Sequence, residues 1–536
     1  MKKIDLIYIR EFTDDFKWNG SIITLSDPSL DNINKLLEKS LANKESNYTL
    51  IWHESLGLPD IEKMQEILNT AGDVWHSGLL LGMAKKPSLI NFIAPVWMFN
   101  RDQDKIMRIS SFRMHLYGTL FKKEALRHIG ILDEQFITIE GAALDLGLRL
   151  LKGGAFIVFE PELLNNQMFN ISELKIPLMD EVRMLIKHYS KQQIIWALIR
   201  SLSCKYSIYD VVKGFKLVFN NKTEPLKVWK RFLPEDYSIE NSMRVSVIIP
   251  TLRRHFYIEK VLTALSKQTI KPYEVIVIDE DYFPEFYSKF QNALDLKVFK
   301  GSNIGQSTAR NIGIKHASGE YLLIVDDDID EIPDNFIETH LKYIKYFKTD
   351  VSCGTTRERG IDYKIHKFHK SVKLADCFPT NNVLLKRSIL EKSGYFDTNF
   401  DKGMQEDHDL GMRIYLSGYL MGVNPFVDVF HHRAPRGGLR ENKARKITFS
   451  DSRRRIFTFN ILHPSSIYLI MKYFDKFQLK EEILLNLRGT FVVKGNIPKK
   501  IIKLFWASIM LPINVIRIRQ NLKAASELLK RYKKTL

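Results

Sequence analysis

The chain is 536 residues long, with 45% hydrophobic and 26% charged residues, a length and balance that exclude a disordered polypeptide and predict two or three folded domains. Lys and Arg number 80 against 62 Asp and Glu, and the formal net charge of +18 favours polyanionic partners: phosphate-bearing substrates, anionic lipid surfaces or nucleic acid. The three cysteines, Cys204, Cys353 and Cys377, are widely spaced, which argues against a disulfide framework or a zinc site and predicts a reducing, cytoplasmic setting. The opening Met1-Lys2-Lys3-Ile4-Asp5 meets an acid at once and has no long apolar run behind it, so no secretory signal is expected.

In chain order, the first strand signal to matter later is Tyr48-Thr49-Leu50-Ile51, followed by His53-Glu54-Ser55. A basic, helix-patterned region then covers about 175–235. After the polar stretch Pro234-Glu235-Asp236-Tyr237 a new strand begins at Val245-Ser246-Val247-Ile248-Ile249, which sets a domain boundary near 240. A helix around Tyr257–Leu265 leads to a strand at Val275-Ile276-Val277-Ile278. A short strand at Val298-Phe299, a helix over Ser307–His316 and a strand at Tyr321–Val325 follow. Continuous apolar runs alternating with helices predict a mostly parallel sheet covered on both faces. A second basic helical region covers 465–536, and its longest uncharged stretch, Leu504 to Ile516, falls short of the roughly 18–20 apolar residues of a membrane span. A buried or an interfacial helix is expected there.

An internal repeat organises the whole. Lys122–Gly154 aligns without gaps on Lys386–Gly418, a constant offset of 264 positions. Leu126, Gly130, Asp133, Phe136, Asp145-Leu146-Gly147, Arg149 and Gly154 recur as Leu390, Gly394, Asp397, Phe400, Asp409-Leu410-Gly411, Arg413 and Gly418. Upstream, Tyr48–Ile51 pairs more loosely with Tyr321–Ile324. The expected organisation is a first copy over 1–170, a helical connector over 171–240, a second copy over 241–445 and a basic helical region over 446–536.

The residues suited to chemistry collect in the second copy. Asp326-Asp327-Asp328 ends a buried strand, the edge where α/β sheets gather ligands, and such a concentration of carboxylates needs a cation. Mg²⁺ or Mn²⁺ holding a diphosphate would supply it, and a solvated acidic loop capping the next helix is the alternative. Asn303-Ile304-Gly305 and Ala309-Arg310-Asn311-Ile312-Gly313 precede the triplet, with Gly305 at a helix start that suits an anion and Arg310 one turn inside, able to face phosphates. Pro250-Thr251 ends the first strand and Asp279 the second, at the same edge. Glu406-Asp407 opens a helix, where favourable dipole chemistry also explains acids. His431-His432 could add a metal ligand, and the basic loop from Arg433 to Arg440 could close on a diphosphate.

In this order the motifs resemble the family 2 glycosyltransferases of the GT-A fold, over about Arg244 to His432. The second strand departs from the family's usual Asp-Asp-Gly-Ser turn, reading Asp279-Glu280-Asp281-Tyr282. The resemblance implies two tandem GT-A-like α/β domains, each followed by helices. It also implies inverting, metal-dependent transfer of a sugar from a nucleoside-diphosphate donor, a UDP-sugar, to a hydroxyl of a glycan or lipid-linked acceptor in cell-surface polysaccharide or glycoconjugate synthesis. Carried over by motif, Pro250, Thr251 and Asp279 would contact the base and ribose, Asp326 would sit near the ribose or metal, Asp328 would bind Mn²⁺ or Mg²⁺ and Asp407 would be the general base. From the residues themselves, Asn303, Arg310 and Asp327 are further candidates for the donor nucleotide, His431 for the metal and Glu406 for the catalytic pair.

At the repeat offset, Glu406-Asp407 corresponds to Ala142-Ala143 and His431 to Gln167, so the first copy is expected to be a degenerate, noncatalytic GT-A-like domain. The basic helical regions are either solvated faces of packed helices or peripheral attachments to an anionic membrane at its inner face. A sugar-nucleotide nucleotidyltransferase would want a Gly-rich loop after the first strand, where Pro250-Thr251-Leu252-Arg253-Arg254-His255 has no glycine. A noncatalytic carbohydrate-binding protein would leave the two acidic clusters unexplained, and no nucleic-acid motif is present.

Overall fold

The computed structural model describes residues 1–10, 18–78, 88–101, 107–164, 176–204, 206–220, 225–240, 242–301, 304–358, 371–401, 403–434 and 453–535. The chain divides into two compact units, Met1–Phe232 with Ser371–Leu374, and Leu233–Lys370 with Ala375–Leu536.

The first unit contains strands β1 (Ile4–Ile9), β2 (Ile22–Leu25), β3 (Tyr48–His53), β4 (Val74–His76), β5 (Ile109–Ser110), β6 (Thr119–Lys122) and β7 (Ile157–Phe159). They form one sheet in the order β2-β1-β3-β6-β4-β7-β5. Its helices are α1 (Leu30–Ala42), α2 (Ile61–Ile67), α3 (Lys123–Ile129), α4 (Ile139–Gly153), α5 (Leu178–His188), α6 (Lys191–Ser201) and α7 (Ile208–Asn220).

In the second unit, β8 (Val245–Thr251), β9 (Glu274–Asp279), β10 (Leu296–Lys300), β11 (Tyr321–Val325), β12 (Ile329–Asp330), β13 (Val351–Glu358), β14 (Asn382–Lys386) and β15 (Met421–His431) pair in the order β10-β9-β8-β11-β14-β13-β15-β12. Its helices are α8 (His255–Ser266), α9 (Pro284–Ser288), α10 (Gln306–His316), α11 (Phe336–Phe347), α12 (Arg387–Ser393), α13 (Glu406–Leu416), α14 (Pro464–Tyr473), α15 (Lys476–Thr490) and α16 (Ile497–Thr535). From β10 to β11 the sheet is parallel, and β14 turns antiparallel. The apolar runs of β8, β9 and β11 are buried on both faces, the pattern expected of parallel strands under helices. Val245, Val247 and Ile249 pack with Ile258, Val261 and Leu262 of α8 and with Phe336 and Leu341 of α11 in the main core of this unit.

The two sheets share a topology. The order β2-β1-β3-β6-β4-β7 has the same directions as β9-β8-β11-β14-β13-β15. Register agrees too: Tyr48 faces Lys122 across the antiparallel pair, as Tyr321 faces Lys386. Among the described residues the second sheet adds β10, with no counterpart in the first, and α1 precedes β3 as α10 precedes β11 but carries no arginine.

The repeated residues turn out to serve one buried polar device. Gly130 and Gly394 end matching helices with φ of 102° and 79°, a conformation that favours glycine. Asp145 and Asp409 are fully buried on α4 and α13. Each takes the arginine one turn on, Arg149 at 2.7 Å and Arg413 at 3.0 Å. Each also meets a lysine from the helices that follow: Lys187 on α5 reaches Asp133 at 2.6 Å and Asp145 at 2.8 Å, while Lys472 on α14 reaches Asp397 at 3.0 Å and Asp409 at 2.6 Å. The device therefore ties each sheet-bearing fold to its own helical extension.

One sequence expectation is corrected here. Helix α16 is long and apolar enough, by length and composition, to cross a membrane. Counting apolar residues between Lys503 and Arg517 undershoots it, because the helix runs on through both charges and through Pro512.

Removing a single partner from a buried ion pair leaves an uncompensated charge. Lys472→Met should destabilise the second unit by about 3–5 kcal/mol in urea unfolding. Lys187→Met should cost less, because Lys187 is 25% exposed and Lys472 only 4%.

Candidate active site

Three strand ends set the floor of the site. Pro250 and Thr251 close β8 and pair in register with Ile278 and Asp279 of β9, and β11 delivers Asp326-Asp327-Asp328 beside them. The expected residues from these strands therefore do come to one edge, but they face different partners. Asp279 is fully buried; Tyr287 Oη donates to it at 2.7 Å, the Asp281 N–H at 2.8 Å, and His255 lies at 3.2 Å. Asp327 accepts from Thr251 Oγ1 at 2.7 Å and pairs with Arg254 at 2.8 Å. Both acids are thus spoken for by protein groups.

Asp328 also meets Arg254, at 3.4 Å, and accepts from the Ala434 N–H at 2.7 Å and from His431 Nε2 at 3.1 Å. Burial pushes Asp327 up to about 6. The same burial would raise Asp328, yet His431, Arg254 and the Ala434 N–H hold it well below the carboxylate range. His431 shows the reciprocal effect: burial would lower it, but Asp328 and Glu358 push it up to about 10.

One oxygen from each of Asp326 and Asp328 and one ring nitrogen of His431 lie within 4.8 Å of one another. Two carboxylates and an imidazole suit Mn²⁺ or Mg²⁺, with further positions open to water or phosphate oxygens. The neighbouring His432 turns away, to Asp330 at 2.8 Å, where Lys260 also pairs. Only the first of the two histidines joins the cluster.

Arg310 connects this cluster to the second acidic pair. Its guanidinium, 3% exposed, reaches Asp326 at 2.9 Å and Glu406 at 3.3 Å. The sequence suggests that it faces phosphates; the structure buries it between two carboxylates. Gly305 likewise differs from expectation. As N-cap of α10 it approaches Asp401 so closely that a Cβ would lie 2.1 Å from the Asp401 Cβ, and Asp401 accepts from the Thr308 N–H at 2.9 Å and from Thr308 Oγ1 at 2.5 Å. The anion at this helix start is the protein's own. Asn303 and the basic loop beyond Ala434 lie outside the described residues.

Glu406-Asp407 stands at the head of α13, after Gln405 in a left-handed conformation with φ 88°. A non-glycine residue held there is strained, and such strain gathers at functional sites. Glu406 is buried and pushed up to about 7 by burial and by the Asp407 charge. Asp407 is one-third exposed and pairs with His408 at 2.9 Å. Burial would raise Asp407, but the His408 charge and hydrogen bonds from His408 hold it below the carboxylate range. Of the two acids, Asp407 is the ionised and reachable one.

Sequence reasoning missed Arg254, Glu358 and His408. Arg254 was visible only as one basic residue after Pro250-Thr251, and Glu358 ends β13 in a stretch with no motif. Glu358 pairs with both His431 and Arg433.

A mostly parallel sheet with acids at its carboxyl edge, followed by an antiparallel strand and an acid-headed helix, is the GT-A-like fold of nucleotide-diphosphosugar transferases. Residues 246–404 match Glycosyl transferase family 2, and the chain carries a domain of that family. Hyaluronan synthase from Pasteurella multocida is 26% identical over 240 residues, covering 36% of this chain and 25% of that protein. Chondroitin synthase from Pasteurella multocida (strain Pm70) is 23% identical over 245 residues, covering 37% of this chain and 25% of that protein. The chain thus spans about a quarter of the length of these curated relatives. Among solved structures, the mannosyltransferase PcManGT from Pyrobaculum calidifontis, in complex with GDP-Man and Mn²⁺, aligns with a TM-score of 0.37 at 18% identity, over 55% of this chain and 90% of that one.

The charge of Asp407 is the main reason His408 rises to about 9. An NMR titration should place the His408 midpoint near 9 in the wild type and nearer the ordinary 6.5 in Asp407→Asn. Because the folded value lies above the ordinary one, the stabilisation from this pair is complete below 6.5 and is lost as pH rises through about 9.

Proposed function

We propose that the second unit is an inverting, metal-dependent glycosyltransferase that moves a sugar from a nucleoside-diphosphate donor to an acceptor hydroxyl. The observation that carries this reading is Arg310, whose buried guanidinium joins Asp326 of the metal-ligand cluster to Glu406 beside Asp407. One rigid contact thereby links a place for a diphosphate to a place for a base. Asp326, Asp328 and His431 would hold Mn²⁺ or Mg²⁺, which when bound neutralises the diphosphate leaving group.

The chain's own residues supply the rest. Asp407 takes the proton of the acceptor hydroxyl, which attacks the anomeric carbon from the face opposite the diphosphate, so configuration inverts. Glu406, buried against Arg310, fixes the head of α13 and with it the position of Asp407. Pro250 and Thr251 line the edge where the base and ribose of the donor would lie; the buried Asp279 orders that edge through Tyr287 and His255, and Asp327 through Thr251 and Arg254. A UDP-sugar donor and a glycan or lipid-linked acceptor fit this site, and likeness to hyaluronan and chondroitin synthases supports a role in polysaccharide synthesis.

The first unit serves as a degenerate, noncatalytic copy. Ala142 and Ala143 are fully buried where the second copy has Glu406 and Asp407, and His53 closes β3 where Asp326 follows β11, stacked on Tyr117 at 4.8 Å. It keeps the buried Asp–Arg–Lys device and lacks the carboxylates suited to catalysis.

A screen of nucleoside-diphosphate sugars with Mn²⁺ tests both statements on the full chain. Nucleotide release should depend on the metal and stop with a chelator. Asp407→Asn should cut turnover by about 10²–10⁴-fold while donor binding persists. Turnover that survives Asp407→Asn unchanged would assign the chemistry elsewhere, the first unit included. Glycan binding with no nucleotide released from any donor would favour a carbohydrate-binding protein.

A further inference from the structure

Helix α16 is built inside out along its first half. Ile501, Leu504, Phe505, Ile509, Ile513 and Ile516 recur along one side of the helix and are 43–68% exposed. The opposite face, which packs inward, holds Lys503 and Asn514, both fully buried, with Ala507 between them. Lys503 Nζ donates to the carbonyls of Ile456 at 2.9 Å and Thr458 at 2.8 Å. A helix meant for water on its outer face shows the reverse arrangement. Phe457, 65% exposed, stands edge-on to Trp506 at 5.4 Å and widens the apolar surface.

Charge identifies what covers this face. Between Glu482 and Glu527 the chain carries eight Lys and Arg and no Asp or Glu. Exposed Lys494 and Lys500 lie before the apolar stretch, and exposed Arg517, Arg519 and Lys523 lie after it. Apolar side chains bracketed by cations match the acyl boundary and headgroups of an anionic bilayer. A second copy fits poorly: pairing this face with itself, parallel or antiparallel, sets cations against cations at both ends.

The rest of the helix is committed to the protein. Leu522, Leu528, Leu529 and Tyr532 pack on Phe400, Ile467 and Tyr468, and the carbonyls of the 455–458 segment sit on Lys503. A helix crossing the bilayer would have to expose that buried lysine to lipid.

We propose that α16 lies in the plane of an anionic membrane surface, with the Ile501–Ile516 face sunk among the acyl chains, and so seats the family 2 domain on the membrane. This inference is independent of the reaction proposed above.

The test is sedimentation of the full chain with phosphatidylcholine vesicles, with and without phosphatidylglycerol. Binding should require the anionic lipid, weaken with salt, and yield to alkaline carbonate. Phe505→Glu with Ile509→Glu should lower the partition coefficient about tenfold or more, which is about 1.4 kcal/mol or more, with the thermal midpoint unchanged because both side chains are exposed. If that pair of changes impairs folding, Lys500→Glu with Arg517→Glu should weaken binding to the anionic vesicles alone. Absence of binding to anionic vesicles overturns the proposal, as does equal binding to both kinds. Carbonate-resistant association would make α16 a span, and a dimer that Phe505→Glu with Ile509→Glu splits, without vesicle binding, would make the occupant a second copy; either result overturns it.

Discussion

The buried guanidinium of Arg310 is the constraint on which the rest of the site depends. Asp326 and Glu406 come from elements eighty residues apart in sequence, the end of β11 and the head of α13; Glu406 is buried and Asp326 half-buried. The guanidinium between them offsets the repulsion of two neighbouring carboxylates. A lysine would offer one point charge; the guanidinium fork engages both acids in fixed geometry. The same logic governs the neighbouring acids, where Arg254 and His431 hold Asp327 and Asp328. The carboxyl edge is therefore preorganised around cations supplied by the protein.

The repeat shows which buried charges belong to the scaffold and which do not. Asp133 and Asp145 persist in the first unit with Lys187 and Arg149, as Asp397 and Asp409 persist in the second with Lys472 and Arg413. These acids hold the helical extension to the sheet, so losing one would strand a buried lysine. The head of α13 has no such obligation: the corresponding turn of α4 buries Ala142 and Ala143. The second unit thus supports, with Arg310 and a strained Gln405, a pair of carboxylates that has no counterpart in the first, and the proposed reaction rests on that difference.

Much of this was legible in the sequence because it is local. Strand ends, helix starts and the acidic triplet follow from apolar runs and their punctuation, and β8, α8, β9, β10, α10 and β11 all lie where periodicity places them. The 264-residue offset relates Lys122 to Lys386, and each pairs in register with the tyrosine that opens the neighbouring strand, Tyr48 and Tyr321. What sequence could not give are contacts between distant segments. Asp401 caps α10 from nearly a hundred residues away, so Gly305 looked like a place for phosphate when it is a place for a carboxylate side chain. Arg310 looked free to meet a ligand because nothing local reveals that Glu406 closes on it. His431 and His432 are alike in sequence; His431, the last residue of β15, meets Asp328, while His432 just past the strand meets Asp330.

Helix α16 shows the same limit in a different form. Its sequence shows an uncharged stretch between Lys503 and Arg517, and that stretch alone does not say which side of the helix meets the protein. Which face meets the protein depends on what waits there, and here carbonyls of the 455–458 segment wait for Lys503. A lysine amine satisfied by three carbonyls fixes the rotation of the helix about its axis, and that rotation turns the isoleucines outward. The apolar surface is thus a consequence of a polar contact on the reverse side. Because the hydrogen bonds of Lys503 and the packing of Tyr532 and Leu528 set the orientation within the same unit as the carboxyl edge of the sheet, the outward face is as fixed a feature of that unit as the acids at the end of β11.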